Sequence, residues 1–129
     1  VLAKDYIQAV KTNHKIGYGV EKMFLDFDIL LSPVLAKPPV EIGNIDLNTT
    51  DFADYAEKLS TYTPFTGIFN QSGHPSISLP LYRTPKNLPV GTMLTASFGN
   101  ESLLFGLARQ LEVAEPWEAA IKEMRTQIG

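Results

Sequence analysis

Cysteine is absent from this chain of 129 residues, and its absence removes disulfide staples and thiolate metal sites. It permits a reducing cytoplasm, which is the expected location. Histidine is scarce: neither His14 nor His74 has a second ligand at metal spacing, so no metal and no cofactor is expected. Long apolar runs are missing as well. Ile29 to Leu31 is far too short to cross a bilayer, and Val1 to Val10 lacks the charged start, apolar middle and small-residue cleavage site of a signal peptide. Nor is there a basic cluster. With 11 Lys and Arg against 14 Asp and Glu, net charge −3, neither nucleic acid nor a membrane is an expected partner.

What is present suffices for one core. The chain is 44% hydrophobic, which fits a single globular domain over residues 1–129. Its organising stretch runs from Tyr62 to Ser97. Gly73 can take the positive φ that closes a helix, and Pro75 forces the chain out of it. Ser76-Ile77-Ser78-Leu79 alternates as a half-buried strand, and Pro80 places that strand at an edge or ends its pairing. Arg83 to Pro89 is loop chemistry, and Val90 to Ala96 returns as a strand, so a hairpin is predicted. Gly91 within it marks a bulge or a close backbone approach.

Around that hairpin the periodicity predicts helices. Leu2 to Leu25 reads as one long or two shorter ones, with a break suggested by Asn13. Ile29 to Leu31 shows no alternation, so both faces of that strand are expected to be covered, and Pro33 limits its central pairing. Lys37 to Asp51 is a long loop leading to a helix capped by Thr50 or Asp51. Phe52 to Leu59 and Tyr62 to Asn70 are predicted helical, with Pro64 early in the second. Tyr62, Phe65, Ile68 and Phe69 then form an aromatic-rich cluster whose first reading is core packing. Gly99-Asn100-Glu101 starts another helix with a capping amide, and its stripe of Leu103, Leu104, Leu107, Ala108 and Leu111 should cover the sheet. Glu115-Pro116 breaks it. Trp117, Ile121, Met124 and Ile128 give a last stripe, which docks on the same domain or, less favoured, forms a homodimer or partner contact.

Several signals carry no chemistry on their own. Ser76 and Ser78 near His74 suggest a nucleophile and base, but no nucleophile-elbow glycines surround them, and a structural pair is the better reading. Asn48, Asn70 and Asn100 begin glycosylation-type triplets without any sign of secretion. Asn70 is expected instead to tie the corner's backbone through its amide.

A resemblance carries the function. The order helix, Asn-x-x-Gly-x-Pro (Asn70 to Pro75), Ser-x-Ser-x-Pro strand (Ser76 to Pro80), Leu88-Pro89-Val90-Gly91 and Gly99-Asn100-Glu101 helix start resembles the C-terminal part of the amidase signature family, serine hydrolases of amides. Phe27-Asp28-Ile29-Leu30-Leu31-Ser32-Pro33 resembles its "Tyr/Phe-Asp-x-Leu-Leu-x-Pro" strand. Leu103 to Leu111 with Glu115-Pro116-Trp117 resembles its closing helix and tail. Thr63-Pro64-Phe65-Thr66 followed by Asn70 is similar to the branch containing the 6-aminohexanoate cyclic-dimer hydrolases. Thr63 disfavours the amidotransferase-subunit branch, where an acidic residue is expected.

The resemblance implies an α/β/α sandwich with a mixed sheet, here as an α/β portion with a hairpin and four or five helices. It implies a Ser-cisSer-Lys machinery with a Gly/Ser-rich oxyanion loop in the family's N-terminal half. This sequence has no Gly-Gly-Ser-Ser run, so no catalytic residue is assigned. The chain is expected to be inactive alone, with the N-terminal half of a parent enzyme and a small amide substrate as partners. Tyr62, Phe65 and Thr66 are the candidate substrate-binding residues, and residues 37–51 lie near the family's substrate entrance. The competing reading is a binding or interaction domain that keeps the fold without the chemistry. A fragment of a larger sandwich should also show an apolar patch above about 400 Å², or hide it by self-association.

Overall fold

The structure, a computed structural model, describes residues 1–128, apart from the side chains of Met124, Gln127 and Ile128. Helix α1 spans Ala3–Met23, strand β1 Ile29–Pro33, helices α2 and α3 Phe52–Tyr62 and Gly67–Ser72, strands β2 and β3 Ser76–Arg83 and Pro89–Ala96, and helices α4 and α5 Glu101–Ala114 and Glu118–Ile128. The strands form a sheet in the order β1-β3-β2, and both ladders are antiparallel. Parallel pairings, which a mixed sheet implies, are not among those described.

Register sorts the side chains into two layers. Ile29 pairs with Ala96 and Ile77 with Leu94, so these residues and Leu79 share one face. Leu104 and Ala108 of α4 bury against that face, with Leu107, Leu111 and Trp117 at its margin. Leu30, Met93 and Thr95 point the other way, where Val20 of α1 and Phe69 of α3 close over Met93. The result is helices on both faces of a sheet, the expected α/β class. Because β3 is paired on both sides, it carries the largest fully buried side chains, Leu94 and Thr95, at 1% and 0% exposure. Burying a side chain such as Leu94 contributes about 2 kcal/mol.

The hairpin forms as the residues require. Gly73 closes α3 at φ 76°, its amide donating to Phe69 O. β2 and β3 pair antiparallel, with a register shift between Leu79 and Tyr82: Pro80 and Leu81 face only Gly91. This is a bulge at Pro80, which has no N–H to give the ladder. Gly91 is the close approach: a Cβ there would lie 2.8 Å from Val34 Cγ2 and 2.9 Å from Ser78 Oγ.

Several expectations are corrected. α1 runs unbroken through Asn13, and Gly17 is placed where α3 comes near, since a Cβ at Gly17 would sit 3.7 Å from Ser72 O. The helix expected over Tyr62 to Asn70 is divided. α2 ends at Tyr62, and Thr63 leaves helical geometry at φ −117°, ψ 48°, as a residue preceding proline tends to. The cap of α2 is Asp51, whose carboxylate accepts from Asp54 N at 3.0 Å. Asn100 stands at the start of α4 but caps nothing; its amide donates to Ser97 Oγ at 2.9 Å. Both faces of β1 are covered at Ile29 and Leu30, yet Leu31 is 66% exposed because the cover does not reach it. Of the last stripe, Trp117 packs on the α4 core, whereas the Met124 and Ile128 side chains lie outside the described residues.

Candidate functional site

The glycine-proline corner is held by His74, not by Asn70. Asn70 is exposed, and no side-chain hydrogen bond of its amide is found among the described residues. His74 is buried, with Nε2 2.9 Å from Glu21 Oε2 and Nδ1 2.9 Å from Ser72 Oγ. A carboxylate only accepts, so Nε2 carries the proton toward Glu21 and, in the neutral ring, Nδ1 accepts from the Ser72 hydroxyl. The Phe98 amide donates to the same Glu21 oxygen at 3.1 Å. That amide first, and the His74 ring after it, hold the Glu21 carboxyl below its ordinary 4.5, although desolvation opposes them. One carboxylate thus joins the end of α1, the corner and the turn before α4.

Glu21, His74 and Ser72 have the acid, imidazole and hydroxyl connectivity of a hydrolase triad. The imidazole of this set is enclosed. The His74 side chain is 2% exposed. Phe24 stacks on it at 5.5 Å, and Phe98 meets it edge-on at 6.4 Å. Ser72 comes near α1 at Gly17, where an added Cβ would sit 3.9 Å from the Ser72 Cβ. The hydroxyl of half-buried Ser72 is engaged by this enclosed ring, and the group clasps the corner to the end of α1. The Ser76 Oγ lies 2.8 Å from Thr95 Oγ1, directly across the ladder. Among the described residues no cluster of metal-ligating side chains occurs.

The open surfaces lie elsewhere. A groove of ≈ 300 Å³ between residues 37–45 and α2 is lined by Lys37, Asn44, Glu57, Lys58, Thr61 and Tyr62, among others. An apolar groove of ≈ 240 Å³ opens between α1, β1 and α3, where Phe65 stands with Val20, Met23, Leu30, Ile68 and Phe69. Tyr62 and Phe65 therefore face different grooves. Thr66 lines neither groove; its carbonyl accepts from Phe69 N and Asn70 N, and its hydroxyl makes no cap to α3. A further groove of ≈ 290 Å³ runs between residues 33–39 and the start of β3. Sequence patterning did not single out Lys37, which borders two of these grooves, because a lone lysine in a proline-rich loop has no period to betray it.

With this geometry in view, the comparisons decide the family. The model of the amidase family matches residues 1–105. The chain belongs to the amidase family. Among its relatives, a protein described as an amidase, AmiC, of Mycobacterium leprae (strain TN) is 41% identical over 122 residues, covering 95% of this chain and 24% of the relative. A 6-aminohexanoate-cyclic-dimer hydrolase of Paenarthrobacter ureafaciens is 36% identical over 99 residues, covering 72% of this chain and 20% of the relative. A solved 6-aminohexanoate cyclic dimer hydrolase superposes with a TM-score of 0.83 at 32% identity, covering 92% of the chain and 26% of that protein. The resemblance of the Thr63 to Asn70 stretch to the cyclic-dimer branch agrees with these relatives. This amidase chain spans about a quarter or less of the length of the relatives named here.

The amidase chain also exposes more than its mass warrants. It presents 9632 Å² to solvent, whereas a compact monomer of 14.3 kDa presents roughly 6,800 Å². Leu2, Tyr6, Tyr18, Leu31 and Phe105 are among its exposed large apolar residues. No described helix is long and apolar enough to cross a membrane.

Proposed function

We propose that this chain is the C-terminal structural and pocket-wall part of an amidohydrolase that cleaves linear or cyclic amide C–N bonds by serine acyl transfer. The observation that carries the reading is the superposition on the cyclic dimer hydrolase, in which nearly all of this chain occupies 26% of that protein. The excess exposed area is the second support, since faces left open here are faces that further polypeptide would cover. In this reading the serine nucleophile, the bridging serine and the lysine base lie outside these residues. The serine oxygen attacks the amide carbonyl, the amine leaves with a proton, and water releases the acid. The parent enzyme acts in the cytoplasm on a small amide.

Tyr62, Phe65 and Thr66 form the wall of the acyl pocket. Facing separate grooves, Tyr62 and Phe65 contact different parts of an extended amide, and loop 37–51 borders the entrance. The test is kinetic, on the whole enzyme. Tyr62→Ala and Phe65→Ala should each lower kcat/KM for an aliphatic amide about tenfold, the loss expected when an apolar pocket contact is removed. Tyr82→Ala, an exposed position on the hairpin, should leave it unchanged. Unaltered kinetics in both pocket variants would remove Tyr62 and Phe65 from the site.

A further inference from the structure

The groove between residues 33–39 and the start of β3 differs from the others in its lining. Pro33, Pro38, Pro39 and Pro89 supply much of it, with Leu35, Val90 and the backbone of Gly91. Proline has no N–H, so these walls offer little to water and much to a hydrocarbon chain. The walls are also fixed in place. Val34 N donates to Gly91 O at 3.2 Å and Ala36 N to Tyr62 O at 3.1 Å, so the segment is tied to β3 on one side and to α2 on the other. A Cβ at Gly91 would collide with Val34, so the close seating of this segment depends on that glycine.

Lys37 is the one charged residue of this lining. Among the described residues it makes no ion pair, and the nearby Asp54 carboxylate is held by Lys58 at 2.7 Å. A largely apolar groove with one lysine in its lining has a chemical complement: an aliphatic chain ending in a carboxylate. The volume, ≈ 290 Å³, sits at the small end of sites for organic ligands, which fits one short chain.

We propose that this groove binds short aliphatic carboxylates, the chain lying along Pro38, Pro39, Pro89 and Val90 and the carboxylate paired with Lys37. The site concerns binding alone, and although Lys37 also borders the Tyr62 groove, its test reads lysine protection and not hydrolysis. It differs from the Phe65 groove, which has no charged lining, and from the Tyr62 groove, where Lys37 is joined by Asp54, Glu57 and Lys58.

The test is lysine footprinting on the full polypeptide, with acetylation rates read by mass spectrometry in the presence of hexanoate, hexanol, hexylamine or acetate. Hexanoate should slow acetylation of Lys37 about threefold while Lys58 and Lys86 are unaffected, and the other three should slow it less or not at all. By calorimetry, Lys37→Gln should weaken hexanoate binding about fivefold and Lys37→Arg should retain it. Four results would each overturn the proposal. They are no protection by hexanoate, equal protection by hexanol, equal protection of Lys58, or a Lys37 already unreactive without ligand because other polypeptide or a second copy covers it.

Discussion

At the scale of single residues, the molecule is held at points where one atom serves several elements. Glu21 Oε2 takes both the His74 ring and the Phe98 amide. Its carboxyl is depressed in the folded state, so its contribution is present above the unfolded value and is lost as pH falls through the folded one. Glu21→Gln should therefore be less stable than wild type at neutral pH, and denaturation midpoints should converge as pH drops below the ordinary 4.5. A gap that stays constant into acid would contradict this assignment. Gly91→Ala should cost about 1 to 3 kcal/mol, since β-branched Val34 is stiff and cannot swing away. Val34→Ala in the same chain should recover part of that loss in a double-mutant cycle; a neutral Gly91→Ala would show that the segment moves freely. Gly73 was legible in the sequence because a positive φ before Pro75 is a local demand, and Gly91 because a glycine inside a strand marks a close approach, though its partner Val34 was not. The His74 clasp was not, because its acid lies 53 residues away and no pattern links them.

At the scale of elements, helix starts that look alike in sequence behave differently. Asp51 caps α2 by accepting from Asp54 N, so Asp51→Ala should cost about 1 kcal/mol and speed amide exchange at Asp54. Asn100 donates to Ser97 and gives α4 no side-chain cap, so Asn100→Ala should change stability by no more than about 0.5 kcal/mol. Equal losses in chemical denaturation would contradict the distinction. The hairpin and the α4 stripe followed from alternation and helical spacing. The division at Thr63-Pro64 did not, because Pro64 suits an early helical position as well as it suits the turn it occupies. Of the two readings left open for the first helix, one long or two shorter, the single α1 formed, and its neighbour at Gly17, Ser72 of α3, is a tertiary one that no local pattern shows.

At the scale of the whole molecule, sequence patterning revealed the layers and left the grooves unseen. Two-residue alternation on β3 dictates which side chains meet α4 and which meet α1 and α3. A groove depends instead on how loops settle between elements. Tyr62 and Phe65, close in sequence, open into different ones. The same scale holds the central proposal, that a serine outside these residues is the nucleophile and that Ser72, Ser76 and Ser78 serve the scaffold. The most direct measurement is labelling with a serine-directed fluorophosphonate, mapped by mass spectrometry on the 129-residue chain and on the whole enzyme. The account predicts an unlabelled chain and a single labelled serine elsewhere in the enzyme. Stoichiometric labelling of Ser72, Ser76 or Ser78 would contradict it.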